Sequence, residues 1–278
     1  MNLDFVLEDR RMTYYKNTYK NSKMWNGKTP IKNKTIIVYC QQGLGDTIQL
    51  LRYIPELKNL GCKVILHCQK ELHCLIPYLC SDIIVIDKDD PNIPPHDYHI
   101  LTMSLPFVVK KSKPLPYINI KEKADLSSHE GYKIGVCWEG GPLYEKNNVR
   151  NCPLINFKSI HDLPGICLFS LKKEFHDQNL LVGCDDFVIF GIQINDFIDT
   201  ASLINAVDLV ISVDTAILHL AGAMNKPTFG LLSNDSDPRW IINWYPSVRL
   251  FRQEDDWKSL IDKISAEILN INCLKNNV

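Results

Sequence analysis

Short β-branched and apolar runs, each bounded by glycine, proline or charged residues, recur along this chain with amphipathic stretches between them. Strands that alternate with helices predict a parallel sheet wrapped on both faces. The first set of strands is "KTIIVYC" (34–40), "KVILHC" (63–68), "DIIVID" (82–87) and a shorter run at 97–101. Between the first two, residues 46–60 carry apolar side chains at Ile48, Leu51, Ile54 and Leu57 and end at Gly61. That spacing predicts a helix bent at Pro55, whose ring disrupts regular helical geometry. Residues 71–79 predict a second, short helix.

The pattern breaks at 111–131, where "KSKPLPYINIKEKADLSSHEG" is charged, proline-punctuated and weakly periodic, as a linker would be. It then resumes with strands at 133–138, 166–171, 186–191, 208–213 and 227–232, and helices at 199–206 and 215–224. The expected architecture is α/β: two Rossmann-like lobes facing a cleft, residues 1–125 and residues 126–278. The tail "DDWKSLIDKISAEILNI" puts Trp257, Leu260, Ile261, Ile264 and Ile268 on one face of a closing helix expected to pack across both lobes.

With 31 basic and 32 acidic residues the net charge is −1, which gives no general attraction to nucleic acid or an anionic membrane. No run approaches the roughly 20 apolar residues of a membrane span. The first residues lack the apolar core of a signal peptide, so the expected location is the cytoplasm. Among ten cysteines, Cys62, Cys68, Cys74 and Cys80 are evenly spaced, but no CxxC occurs. They read as reduced core residues and not as a metal site or disulfide framework.

Two stretches carry chemistry. In "VYCQQGLGDTIQLLRYIP" (38–55), Gly43, Gly45, Asp46 and Thr47 follow a strand and open a helix, where ligands of parallel sheets bind. A dinucleotide loop would need a third glycine at Ile48, although Glu71 stands where a ribose-binding acid would. A phosphate loop would need Gly-Lys-Ser/Thr. Asp46 is either a helix cap or a general base acting on an acceptor hydroxyl, since an acid there repels phosphate. In "DLVISVDTAILHLAGAMNKPTFGLL" (208–232), a strand ends at Asp214–Thr215 and His219 follows one turn into a helix. These are caps and a buried histidine, or a diphosphate site at a helix start.

Together "GLGDTIQLLRYIP", "DTASLINAVDLVISVDTAILHLAGAMNKP" and "WYPSVRLFRQ" resemble the family 9 glycosyltransferases, the heptosyltransferase group, and especially the terminal domains of bacterial tetratricopeptide-repeat proteins. The resemblance runs over roughly residues 36–260. It implies a GT-B fold, with the acceptor on the first lobe and a nucleotide-sugar donor on the second. It also implies inverting, metal-independent transfer without a cofactor. Asp46 would be the base, with Gly43, Gly45 and Thr47 as the acceptor-side loop. Asp214, Thr215 and His219 would meet the donor's diphosphate and ribose. The loop from Trp138 through Gly140 to Arg150, and "SLKK" from Ser170, would line the same site. Lys146, Arg150 or Lys172 would offset leaving-group charge without a metal.

The acceptor is left open among a glycan, a lipid-linked sugar and a protein side chain. The chain departs from the family pattern in "WEGGPLYEKNNVRNCPL", with Tyr144 near the expected histidine and Asn151–Cys152 replacing the usual ending. Asp235-Ser236-Asp237 forms a D-x-D to which no metal is assigned, and Arg239 and Trp240 are expected in the cleft wall. Two other readings stay open: a nucleotide- or sugar-binding module without catalysis, motivated by the altered loop, and an NAD-dependent oxidoreductase, motivated by Gly43-Leu44-Gly45.

Overall fold

A computed structural model describes residues 18–19, 22–142, 144–173, 193–242 and 244–275. The chain divides into two compact units between Tyr117 and Ile118.

The first unit is a five-stranded sheet: β1 (Lys23–Met24), β2 (Thr35–Tyr39), β3 (Lys63–Cys68), β4 (Ile84–Asp87) and β5 (Tyr98–Leu101), in the order β1-β5-β2-β3-β4. Every neighbouring pair is parallel. Ile36, Ile37 and Val38 of central β2 are fully buried. Burial on both faces explains why this strand reads as an unbroken apolar run. Between β2 and β3 lie α1 (Leu44–Leu50), a 3-10 turn (Leu51–Tyr53) and α2 (Ile54–Asn59). The chain changes geometry just before Pro55, which then sits in the first turn of α2, where its missing N–H has no partner to lose. Gly61 ends the segment at φ +81°, a conformation that suits glycine. The short helix expected at 71–79 is a 3-10 helix, Lys70–Tyr78, with Pro77 inside it.

The second unit has β6 (Tyr132–Cys137), β7 (Ile166–Ser170), β8 (Leu209–Val213), β9 (Thr228–Leu232) and β10 (Val248–Arg252), all neighbours parallel, in the order β10-β9-β8-β6-β7. Two helices are α3 (Phe197–Ala206), capped by the Asp196 carboxylate on the N–H groups of Ile198 and Asp199, and α4 (Ala216–Ala223). The strand expected at 186–191 lies outside the described residues. Strand β10 falls inside "WYPSVRLFRQ" and was not anticipated as a strand. The tail helix α5 (Trp257–Lys275) packs Trp257, Leu260, Ile261, Ile264 and Ile268 into the second unit's core, beside Phe157 and Ile160.

Cys62 and Cys68 are buried, Cys74 and Cys80 half-buried, and all four are free thiols. No helix among the described residues is long and apolar enough to cross a membrane.

Helix α4 lies close against Tyr245, a fully buried ring. A Cβ on Gly222 would meet that ring at 2.5 Å. Gly222→Val should therefore cost about 2 kcal/mol of stability through overpacking. Urea denaturation checks this, and a loss within about 0.5 kcal/mol would contradict the packing.

Candidate active site

The glycine–aspartate loop sits at the carboxyl end of β2. Gly43, with extended backbone at φ −70° and ψ 173°, precedes α1. The Asp46 carboxylate reaches back one turn, and its Oδ2 accepts the Gly43 N–H at 2.9 Å. Such a bond fixes the direction of the carboxylate. Thr47 anchors the loop from below: its hydroxyl donates to Gln69 Oε1 at 3.0 Å, and Gln69 Nε2 donates to the Gln42 carbonyl at 2.6 Å. Thr47 and Gln69 are buried, so the first turn of α1 is tied to the end of β3. Beside the loop is an open pocket of about 440 Å³ lined by Gln42, Gly43, Leu44, Gln69, Lys70, Glu71, Asp87, Lys88 and Asp89.

The second unit's site is at the carboxyl ends of β6 and β8. Asp214 and Thr215 join β8 to α4, and Thr215 N-caps the helix with extended backbone. Its hydroxyl turns inward, 3.1 Å from Ser212 Oγ. His219 is buried, its Nδ1 2.9 Å from the Tyr245 hydroxyl and its Nε2 3.7 Å from Asp214 Oδ1. Its ring stacks on Trp240 at 5.1 Å and 20°. Arg150 reaches the same turn from the β6 loop. Its Nη1 donates to the Asp214 carbonyl at 3.2 Å, Nη2 donates to Asn147 Oδ1, and its guanidinium lies 4.3 Å over the Tyr144 ring.

Gly140 makes room for this arrangement. A Cβ there would fall 1.7 Å from Arg150 Nη2. Lys146 crosses to Asp235 at 2.7 Å. Tyr144, Lys146, Arg150 and Asp214 thus line one pocket with Ser233, Asp235, Ser236 and Asp237. Its volume of about 10 Å³ is that of a single water site. The Lys146–Asp235 pair is exposed, so the carboxylate is readily exchanged for another anion.

Two anticipated donor contacts take other roles. Trp138 is fully buried in the second unit's core, so its side chain lines no ligand surface. Lys172 is 7% exposed and paired with Glu139 at 3.0 Å, so its charge is already neutralised in a buried ion pair. The Ser170 hydroxyl accepts the Lys172 N–H at 3.2 Å. Glu139 was missed in the sequence, although it stands in the quoted loop. Its partner lies on a different strand end, and nothing local marks the pairing. Trp240 is buried and stacks on His219, and it is not among the residues that line the pocket. Arg239 pairs with Asp237 at 3.0 Å, and Asp237 Oδ1 accepts the Arg239 N–H at 2.8 Å. Among the described residues no group of three or more His, Cys, Asp and Glu side chains is placed to hold a metal ion.

Burial pushes the Asp214 carboxyl up to about 6 from 3.8, against the pull of the Trp240 side chain and of Arg150. The folded chain therefore binds this proton more tightly than the unfolded chain does. The group's stability contribution is present below pH 3.8, falls as pH rises toward 6, and stays low above it. Asp214→Asn should be more stable than the parent at pH 8 by about 2–3 kcal/mol, with the gap closing toward pH 4. Denaturant titrations at both pH values check this. Equal stability at pH 8 would contradict it.

The model of "Glycosyltransferase family 9 (heptosyltransferase)" matches residues 194–264, the segment that contains α3, β8, α4 and the Asp-Arg-Trp loop. Protein FlbA of Caulobacter vibrioides is 28% identical over 149 residues, 50% of this chain and 25% of that protein. The putative lipopolysaccharide heptosyltransferase 4 of Escherichia coli is 35% identical over 65 residues, 21% of this chain and 18% of that protein. The chain thus matches a quarter or less of the length of these relatives. Among solved structures, E. coli ADP-heptose lps heptosyltransferase II superposes with a TM-score of 0.60 at 13% identity, over 88% of this chain and 100% of that one. The dodecameric iron-containing heptosyltransferase TibC from enterotoxigenic E. coli, solved with ADP-D-beta-D-heptose, gives 0.57 at 12% identity over 85% and 67%. The fold is thus GT-B-like, built from two parallel-sheet α/β units, and the chain is similar to glycosyltransferase family 9 in the sequence of its second unit.

Proposed function

We propose that the chain is an inverting, metal-independent glycosyltransferase that moves a sugar from a nucleoside-diphosphate sugar to a hydroxyl acceptor. The observation that carries this reading is the turn between β8 and α4 in the second unit. There the Arg150 guanidinium and the start of α4 meet at one turn, beyond the carboxyl end of a parallel strand. Free N–H groups and a fixed cation suit a diphosphate, whose negative charge grows as the sugar leaves. Two structural neighbours are named for, or solved with, ADP-heptose, which supports the same donor class here. Lys146 exchanges Asp235 for a phosphate oxygen, and His219 with Trp240 forms the wall behind Asp214.

In the first unit, Asp46 takes the proton of the acceptor hydroxyl. The resulting oxygen attacks the anomeric carbon from the face opposite the diphosphate, the carbon–oxygen bond to the diphosphate breaks, and the anomeric configuration inverts. The hydrogen bond from Gly43 orients the base before the acceptor arrives. The same bond places a carboxylate where a dinucleotide pyrophosphate would have to lie, which disfavours the oxidoreductase reading. Free thiols at Cys40, Cys62 and Cys68 fit a reducing cytoplasm.

A thermal-shift panel of ADP, UDP, GDP, CMP, dTDP and NAD, with and without EDTA, tests the reading. One nucleoside diphosphate should stabilise the protein, by about 2.7 kcal/mol at a hundredfold excess over Kd, whether or not EDTA is present. Asp46→Asn should keep that shift and lose roughly 10²–10⁴-fold of donor turnover. A shift abolished by EDTA would overturn metal independence, and the iron-containing neighbour makes that arm necessary. A response to NAD alone would favour the oxidoreductase, and binding without turnover in the parent chain would favour a binding module.

A further inference from the structure

Lys172 and Glu139 stand just past the ends of neighbouring strands, and their pairing does more than cancel charge. Strand β7 runs in register beside β6, and the Leu171 N–H donates to the Val136 carbonyl at 3.0 Å. The turn after β7 is fixed as well, by the Lys172 N–H on the Ser170 hydroxyl. Lys172 is thus delivered to the point where the chain leaves β6. There its Nζ meets two parts of one residue, the Glu139 carboxylate at 3.0 Å and the Glu139 carbonyl at 3.4 Å. Cys137 Sγ donates to the same carbonyl at 3.5 Å.

Glu139 is the first residue of a closed loop. The Cys152 N–H donates to the Trp138 carbonyl at 2.8 Å, so residues 139–151 leave and return at one place. Gly140 comes next, and its N–H donates to Asn151 Oδ1 at 3.0 Å. Arg150 occupies the space that a side chain on Gly140 would need, and from there it reaches the Asp214 carbonyl. Where Glu139 is held therefore sets where Gly140 stands and where Arg150 can lie.

A buried ion pair seldom adds net stability, because desolvation offsets the attraction. It does fix geometry, since either charge left alone in the interior is costly. With side chains 7% and 1% exposed, Lys172 and Glu139 are not among the residues that line the second unit's pocket. We infer that they are positioning residues: their pair holds the loop after β6 so that Arg150 meets Asp214, and neither touches the donor. The consequence for diphosphate binding rests on the glycosyltransferase reading above, whereas the consequence for Arg150 does not.

Glu139→Gln separates this from a direct role of Lys172. Removing a negative charge near an anion site strengthens anion binding by Coulomb's law, and a Lys172 freed to reach the donor would strengthen it further. The positioning account predicts the opposite sign. In calorimetric titration of the full chain, the Kd for ADP should rise at least about fivefold in Glu139→Gln. Proton–nitrogen NMR supplies a readout that needs no nucleotide: the Arg150 Nε–H signal should move in the variant. In the parent, ADP should move the Arg150 signal and leave the Lys172 ammonium signal in place. An ADP Kd that is unchanged or tighter in the folded variant would overturn the inference. So would an unmoved Arg150 signal in that variant, or a Lys172 signal that moves with ADP. Should Glu139→Gln not fold, Glu139→Asp, which keeps the charge and shortens its reach, is read through the same Arg150 signal. If ADP does not bind the parent, the donor reading loses its support while the nucleotide-free comparison still decides the role of the pair.

Discussion

The second unit's site depends on one contact, the Arg150 guanidinium donating to the carbonyl of Asp214. That bond joins the loop after β6 to the turn between β8 and α4, and it brings a cation to a helix start that already favours anions. The contact exists because Gly140 has no side chain in the volume the guanidinium fills. The Tyr144 ring covers its other face. Burial at this turn raises the Asp214 carboxyl pKa, and Trp240 and Arg150 oppose that rise.

The first unit solves a different problem with similar means. A glycine loop is intrinsically loose, yet a base must be held in one direction. Here the carboxylate is tied to its own loop through the Gly43 N–H, and the loop is tied to the neighbouring strand through Thr47 and Gln69. The tie is buried, so it is electrostatically stronger than the same bonds in water. Rigidity thus comes from two polar side chains and not from the glycines.

Much of this was legible in the sequence, and the failures have physical reasons. Parallel strands buried on both faces read as continuous apolar runs, and β2, β3 and β8 appeared within a residue or so of their observed ends. Strand β10, "VRLFR", is interrupted by two arginines and neither alternates strictly nor forms an unbroken apolar run, so its signal is weaker. Local spacing put Asp46 at a helix start, where the helix in fact begins two residues earlier at Leu44 with Gly43 as its N-cap, and put Asp214 at the end of a strand. It did not show which way a side chain points. Trp138 directly follows β6 in the right loop but faces the core, and Lys172 follows β7 at the right place but pairs with Glu139. Both depend on contacts between residues distant in sequence.

The most direct test of the central claim is calorimetric titration of the preferred nucleoside diphosphate into the parent chain and into Gly140→Ala. The added methyl group cannot share space with the Arg150 guanidinium. If Arg150 organises the diphosphate site, affinity should fall at least tenfold, about 1.4 kcal/mol, while the melting temperature stays within a few degrees of the parent's. Unchanged affinity in a folded Gly140→Ala protein would show that the diphosphate is bound elsewhere.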